Sequence, residues 1–473
     1  MGSLAHLPPM PLIIEYENNT TAWVRHDEEN IVTGLQQSDR IRRVVLQGPS
    51  PSLRTCLVAL NELFPQLEHL SIESTTKEEA SMVLPSTFRA PNLRHLAFHD
   101  IGLPVQFSLS ASTNALVTLI ITHITAPCYF HPKHVVTQLR DLPYLEELSI
   151  GFAVPMPRPS AVEKLLPPPI PRVTLPVLKR ITFRGVVVYL ENLVAQIYTP
   201  LLEQLNITLL FQLAFTLVNL TQFVHTIERL RCLSARVLFR RNGTSIVTSN
   251  GEPRDGEGLT ISVICEPLDW QIDSTTQVCS ALAQVLSSTE ELTLDVEEAK
   301  MLLDRENTLD DILWRELLVP FRGVRRLCIG SALISELSDA LKPDAAGLGL
   351  GLLPNLQDLD LRLEIDEAYK AFSTFIETRE RAGHPVCLLA PPRSKMSPGP
   401  IGQLLEPHIE MDRRTTPAVT GSPSILPHGS RLGVRDFGGS YGSKGQRGYS
   451  RQHPNFAQYI PRNRTLRNLF GHR

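Results

Sequence analysis

The chain has no C-x-x-C pair and no run of 18 uninterrupted apolar residues, and aromatics make up only 6% of its 473 residues. Each shortage excludes something. Its seven cysteines (Cys56, Cys128, Cys232, Cys265, Cys279, Cys328 and Cys387) are odd in number and widely scattered, which argues against a disulfide framework. Met1 to Pro11 carries neither a basic leader nor a long apolar stretch, so no signal peptide or membrane span is expected, and cytoplasmic or nuclear residence is the expectation. Walker and G-x-G-x-x-G motifs are missing. The glycine-rich stretch from Gly347 is followed by no lysine or serine that would contact phosphate. No enzymatic activity and no cofactor are therefore expected.

Net charge is small, −3, yet unevenly spread. Residues 391–473 hold 13 Lys/Arg against 4 Asp/Glu, net +9, which leaves 33 against 45, net −12, for residues 1–390. The tail also contains ten prolines and eleven glycines with few aliphatics, a composition that cannot offset its ordering entropy, so disorder is expected there. Arginines interleaved with aromatics near the end suggest an alternative role, association with nucleic acid through this tail, although the whole-chain charge gives it no support.

What the chain has in abundance is leucine at fixed spacing. The phrase L-x-x-L-x-[L/I/F] recurs as Ile41-Val44-Leu46, Leu67-Leu70-Ile72, Leu93-Leu96-Phe98, Leu116-Leu119-Ile121, Leu145-Leu148-Ile150, Leu178-Ile181-Phe183 and Leu202-Leu205-Ile207. A weaker copy starts at Leu230-Leu233, a half-match at Leu292-Leu294, and two more copies at Val324-Leu327-Ile329 and Leu356-Leu359-Leu361. From Ile41 to Leu230 the intervals run from 23 to 33 residues, the spacing of leucine-rich repeats. Many copies follow a proline phrase, at Pro65, Pro91, Pro143, Pro176, Pro200 and Pro354, which ends the preceding element just before a strand begins. Amphipathic stretches at Val188–Tyr198, Leu220–Leu230, Ile272–Leu286, Thr308–Leu318 and Ile365–Arg381 read as intervening helices. Ala235–Cys265 breaks the period and reads as hairpins, with turns at Asn242-Gly243 and Asn250-Gly251.

The fold expected from these patterns is α/β: an irregular leucine-rich-repeat solenoid with parallel strands on the concave face and helices and loops on the convex face. Its divisions are an N-terminal lead at 1–37, a solenoid at 38–390 with a hairpin insertion near 235–265, and a disordered basic tail at 391–473. The usual asparagine or cysteine after the strand is replaced by Thr75, Ile101, Ile124, Ala153, Val186 and Leu210, so apolar packing rather than an asparagine ladder is expected to seal the turn.

The phrases FPQLEHLSIES from Phe64, LPYLEELSIGF from Leu142, GVVVYLENLVAQIYTPLLEQLNITLLFQL from Gly185 and FIETRERAGHPV from Phe375 resemble, in that order, the basidiomycete family of F-box and leucine-rich-repeat proteins. The resemblance spans about residues 10 to 390. It implies a substrate-recognition subunit of a ubiquitin ligase, whose F-box recruits a Skp-type adaptor and a cullin. Residues 1–37 depart from the family, being too short and too polar for an F-box, so adaptor and cullin are expected only if an F-box precedes them.

Strand alternation supplies candidate binding residues. With the leucines inward, a first outward row contains Arg43, His69, His95, Thr118, Glu147, Arg180, Gln204, Glu291, Arg326 and Asp358. His99 lies further along its strand. Two residues on, a second row holds Ser71, Ser149, Thr182, Asn206, Thr293 and Asp360. Mixed charge there predicts a polar surface for a protein partner. Cys128, His131 and His134 have a superficially zinc-like spacing, but they read as a loop and the first turn of a helix starting near Pro132.

Overall fold

A computed structural model describes residues 10–18, 23–76, 82–103, 109, 113, 115–155, 172–212, 214–250, 258–297, 311–342, 351–361 and 365–389. By Cα proximity the chain divides into residues 1–397 and residues 398–473. Residues 390–473, and with them the expected disordered tail, lie outside the described residues, as does Gly251 of the expected Asn250-Gly251 turn.

The first unit is mixed α/β, built on one fifteen-stranded, mostly parallel sheet. Its strands are β1 (Leu12–Glu17), β2 (Ile41–Gly48), β3 (His69–Ser74), β4 (His95–His99), β5 (Thr118–Ile124), β6 (Glu147–Phe152), β7 (Arg180–Gly185) and β8 (Gln204–Leu210). They continue with β9 (Ser234–Arg240), β10 (Gly243–Ser249), β11 (Gly258–Ile264), β12 (Glu291–Val296), β13 (Arg326–Ile329), β14 (Asp358–Leu361) and β15 (Cys387–Leu389). Neighbours in sequence are neighbours in the sheet up to β8 and again from β12 onward.

The leucine phrase is the cause of this arrangement. In each strand the second and third apolar residues point inward and stack on their counterparts: Leu70, Leu96, Leu119, Leu148, Ile181 and Leu205 are at most 2% exposed, as are Ile72, Phe98 and Ile207. Burying each such side chain contributes roughly 2 kcal/mol. The proline phrase does more than end an element: Leu67, Leu93, Leu145, Leu178, Leu202 and Leu356 each donate their N–H to the carbonyl three residues back, so every proline occupies the second position of a β-turn. That turn delivers the first leucine of the phrase into the core and aims the strand. Of the six positions expected to seal the turn with apolar packing, Ile101, Ile124 and Leu210 are buried, while Thr75, Ala153 and Val186 are only half-buried.

Three expectations need correcting, and one is met. Residues 1–37 contain β1 and the helix Arg25–Leu35, which add one more strand to the sheet and contribute Trp23, Ile31 and Leu35 to the core, so their role exceeds that of a lead. The helix read over Val188–Tyr198 runs only Val187–Val194, because Ile197–Tyr198 pairs with Val173–Thr174 as a short strand. The hairpins near 235–265 form as expected, inserted in the array. They lie within the sheet, in the order β8-β11-β10-β9-β12, with β10 antiparallel to both neighbours. The first turn needs Gly243, whose φ of 152° puts any added Cβ 2.2 Å from the Val263 carbonyl. Finally, the phrase at Leu230-Leu233 is displaced: Leu233 is 42% exposed, and the buried residues that prolong the neighbouring ladders are Cys232, Ala235 and Val237.

Intervening helices pack outside the sheet, and the start of one of them is closed by a neighbouring helix rather than by its own N-cap side chain. Glu191, itself buried, accepts the N–H groups of Asn219 and Leu220 at 2.8 Å each, which closes the start of helix Val218–His225. Among the described residues no helix is long and apolar enough to cross a membrane.

Candidate protein-docking face

Strand register places the predicted residues side by side. Arg43 lies opposite His69, His69 opposite His95, His95 opposite Thr118, Thr118 opposite Glu147, Glu147 opposite Arg180, and Arg180 opposite Gln204. A second group follows, Glu291 opposite Arg326 and Arg326 opposite Asp358. The two groups are not continuous, because β11, β10 and β9 stand between Gln204 and Glu291. Arg180 and Arg326 are exposed and the other first-row candidates are half-buried, while the intervening residues of each strand are buried, so one face of the sheet is polar and open. In the second row Ser149 is buried rather than outward and open, at 8% exposure.

Most charges on this face are already paired. Arg180 donates to Glu147 at 2.9 Å, Arg43 to Glu15 at 2.5 Å, Arg326 approaches Asp358 at 3.6 Å, and Arg236 donates to Asp295 at 3.1 Å. Exposed pairs of this kind contribute under about 1 kcal/mol each, so they set the pattern of charge more than the stability. On the second group, the Cys328 thiol sits 3.9 Å from Glu291 and 3.8 Å from Asp360, and burial followed by these two carboxylates pushes it up to about 11. It is therefore a protonated thiol at neutral pH.

The histidines are the densest feature. His69 and His95 stack face to face, ring centroids 4.1 Å apart and 5° from parallel. His69 is held down at about 4, first by burial, then by His95 and Arg43, against an opposing pull from Glu15. Burial lowers His95 as well, with Glu147 opposing and Arg43 adding. Both rings are neutral at pH 7, which removes the repulsion that a stacked imidazolium pair would suffer. Further along β4 and β5, His99 packs against His123 with ring centroids 4.0 Å apart and planes tilted by 32°, and its Nδ1 lies 2.7 Å from Thr122 Oγ1.

His95 and His99, expected as exposed residues, are thus half-buried, the first stacked on His69 and the second packed at a tilt against His123. His123, Thr122 and Glu15 were not among the expected residues. His123 adopts φ 56° at a register shift between Ile121 and Ile124. Strict alternation would place it inward, and only the left-handed kink brings its ring onto His99.

The Cys128, His131 and His134 cluster resolves into local structure. The helix begins at Pro132, and His131 Nδ1 accepts the Lys133 N–H at 3.2 Å as its N-cap. Among the described residues, no group of three or more His, Cys, Asp or Glu is placed to hold a metal ion. An apolar recess of about 290 Å³ lies beside this helix, lined by Leu119, Tyr129, Phe130 and Val135 among others.

Compared with known protein families and with curated proteins, the chain matches none.

Proposed function

We propose that the chain is a non-enzymatic interaction scaffold, a leucine-rich-repeat solenoid that docks a protein partner on the concave, polar face of its sheet. The observation that carries this reading is the lateral alignment, strand after strand, of Arg43, His69, His95, Thr118, Glu147, Arg180 and Gln204 over an unbroken apolar ladder. Stacked repeats bury their apolar edge only in arrays, which leaves one broad strand face free for recognition. Pre-paired charges on such a face favour specificity: a partner that fails to replace each broken pair loses affinity. By the F-box resemblance, the partner is a substrate delivered for ubiquitination, and a Skp-type adaptor and cullin join only through an F-box. Cytoplasm or nucleus is the compartment that goes with that role.

The test is to exchange Glu147→Lys together with Arg180→Glu. The structure supplies the reason this pair is informative: the two side chains form an ion pair, so the exchange keeps the pair and reverses only its pattern toward a partner. Proteins captured by the full chain from its native source should be lost about tenfold or more on the exchange, with the unfolding free energy moved by less than the roughly 1 kcal/mol of an exposed pair. Equal capture by both proteins refutes docking on this face.

A further inference from the structure

Between strands β5 and β6 and the helix Pro132–Leu139 the core is not closed. The recess there has a volume of about 290 Å³. Leu119, Ile121 and Ile150, inward residues of β5 and β6, form its floor, and the helix contributes Val135 and Leu139. Leu103, Leu109, Tyr129 and Phe130 complete its apolar walls. An apolar void forfeits dispersion contacts while it is empty, and it takes up an apolar molecule more readily than water. A cavity of about 150 Å³ with such walls holds benzene, so this one accommodates about twelve non-hydrogen atoms. Leu119 and Ile150 are 2% exposed and Leu139 is fully buried, so the occupant's body leaves water almost completely.

The polar groups come from one helix face. His131, His134 and Gln138 line the recess at helical spacing, from the N-cap to the second turn. His131 Nδ1 already accepts the Lys133 N–H, so the proton of its neutral ring is on Nε2, a donor. Gln138 Oε1 is taken by the Leu109 N–H at 2.8 Å, so what it offers a ligand is its amide NH2. The described residues that line the recess include neither aspartate nor glutamate. The helix starts at Pro132, which puts its partial positive charge beside the two histidines. Donors, a positive helix end and no lining carboxylate together select an anionic head.

We propose that this recess binds a small apolar monocarboxylic acid, its carboxylate against His131, His134 and Gln138 and its body over Leu119, Ile121 and Ile150. A ten-carbon fatty acid and a phenyl-terminated acid of the same size share that chemistry, and the test separates them. An alkylammonium head would meet the amide donors and the positive helix end. A neutral aromatic group, such as a tryptophan side chain of a docked protein, would fill the apolar part and leave the Gln138 amide unused. The floor is the inner side of β5 and β6, opposite the polar face, so the site does not depend on docking there.

Cys128 is a built-in reporter. It lines the recess, is 7% exposed, and lies against Gly102, where an added Cβ would be 2.4 Å from its Sγ. Alkylation of Cys128 and of the exposed Cys387 by iodoacetamide is followed in the full chain by mass spectrometry, while decanoate, 4-phenylbutanoate, decylamine or 3-methylindole is titrated in. An acid that binds should slow Cys128 at least tenfold at saturation and leave Cys387 unchanged. Protection by decanoate alone assigns a straight chain, and by 4-phenylbutanoate alone a ring. Gln138→Glu keeps the acceptor for the Leu109 N–H and puts a negative charge in place of the donor, so it should weaken the protecting acid at least tenfold. Should that variant not fold, His134→Glu at an exposed helix position supplies the same repulsion. Protection by neither acid, equal protection by decylamine or 3-methylindole, or undiminished protection in the folded glutamate variant overturns the inference.

Discussion

Replacing His69 by Gln should flatten the acid limb of the stability curve. His69 is held at about 4 in the folded chain by burial, His95 and Arg43, against an ordinary value of 6.5. Between those two values the unfolded chain binds a proton that the folded chain refuses. The contribution is therefore fully present above about 6.5 and is lost as pH falls toward about 4. For an enclosed ring the full displacement would amount to about 3 kcal/mol. The ring is half-buried, and solvent screens both His95 and Arg43, so about 1 kcal/mol is the expected size. The groups facing it are His95 across β4, Arg43 across β2 and Glu15, and none of them changes in the variant. Urea midpoints at pH 7, 6, 5 and 4.5 for both proteins give the difference, since groups remote from the stack cancel and what is left belongs to the His69–His95 pair. The wild-type chain should lose about 1 kcal/mol more than His69→Gln across this range. Parallel curves would mean that the stacked ring titrates as it does in the unfolded chain, and the argument for a neutral stack would fail.

How far the sequence reveals this fold depends on whether the determining interactions are local. Leu67-Leu70-Ile72 and its relatives are legible because strand alternation and the proline β-turn both act within seven residues. Where the core uses other chemistry, the pattern misleads. Cys232 and Thr289 occupy the first phrase position on two adjacent repeats, and their side chains lie 3.1 Å apart, so a hydrogen-bonded polar pair replaces two leucines. That substitution explains both the misplaced phrase at Leu230-Leu233 and the half-match at Leu292-Leu294. The hairpins of β9, β10 and β11 were legible as hairpins, since Asn242-Gly243 is local chemistry, but their place inside the sheet is set by pairing with β8 and β12, across sequence separations that no motif encodes. The outward row followed from alternation alone. Its partners did not, because Glu15 comes from the supposed lead and His123 reaches His99 through a backbone kink.

Two further outcomes test the packing outside the sheet. Glu191→Ala leaves the N–H groups of Asn219 and Leu220 without their acceptor in a buried setting, and chemical denaturation should show a loss of about 2–3 kcal/mol, with Glu191→Gln milder because it keeps one acceptor oxygen and removes a charge that burial already disfavours. An unchanged midpoint in Glu191→Ala would mean that water replaces the carboxylate there. Arg379, 1% exposed, bonds no carboxylate. Its guanidinium donates to the carbonyls of Leu353, Pro354, Leu356 and His384 and packs 5.8 Å from the Phe375 ring, so it ties the last proline turn to the segment entering β15. Arg379→Met removes all of these donors while filling similar volume, and takes their side-chain donor from the Pro354, Leu356 and His384 carbonyls, while Leu353 keeps the Leu356 N–H. If the repeats are coupled only to their neighbours, as the solenoid reading requires, the damage stays at that end. Hydrogen exchange should then accelerate in Asp358–Leu361 and Cys387–Leu389 while Leu70, Leu96 and Leu119 keep their protection. Uniform acceleration from β2 to β15 would show one cooperative unit and contradict nearest-neighbour coupling.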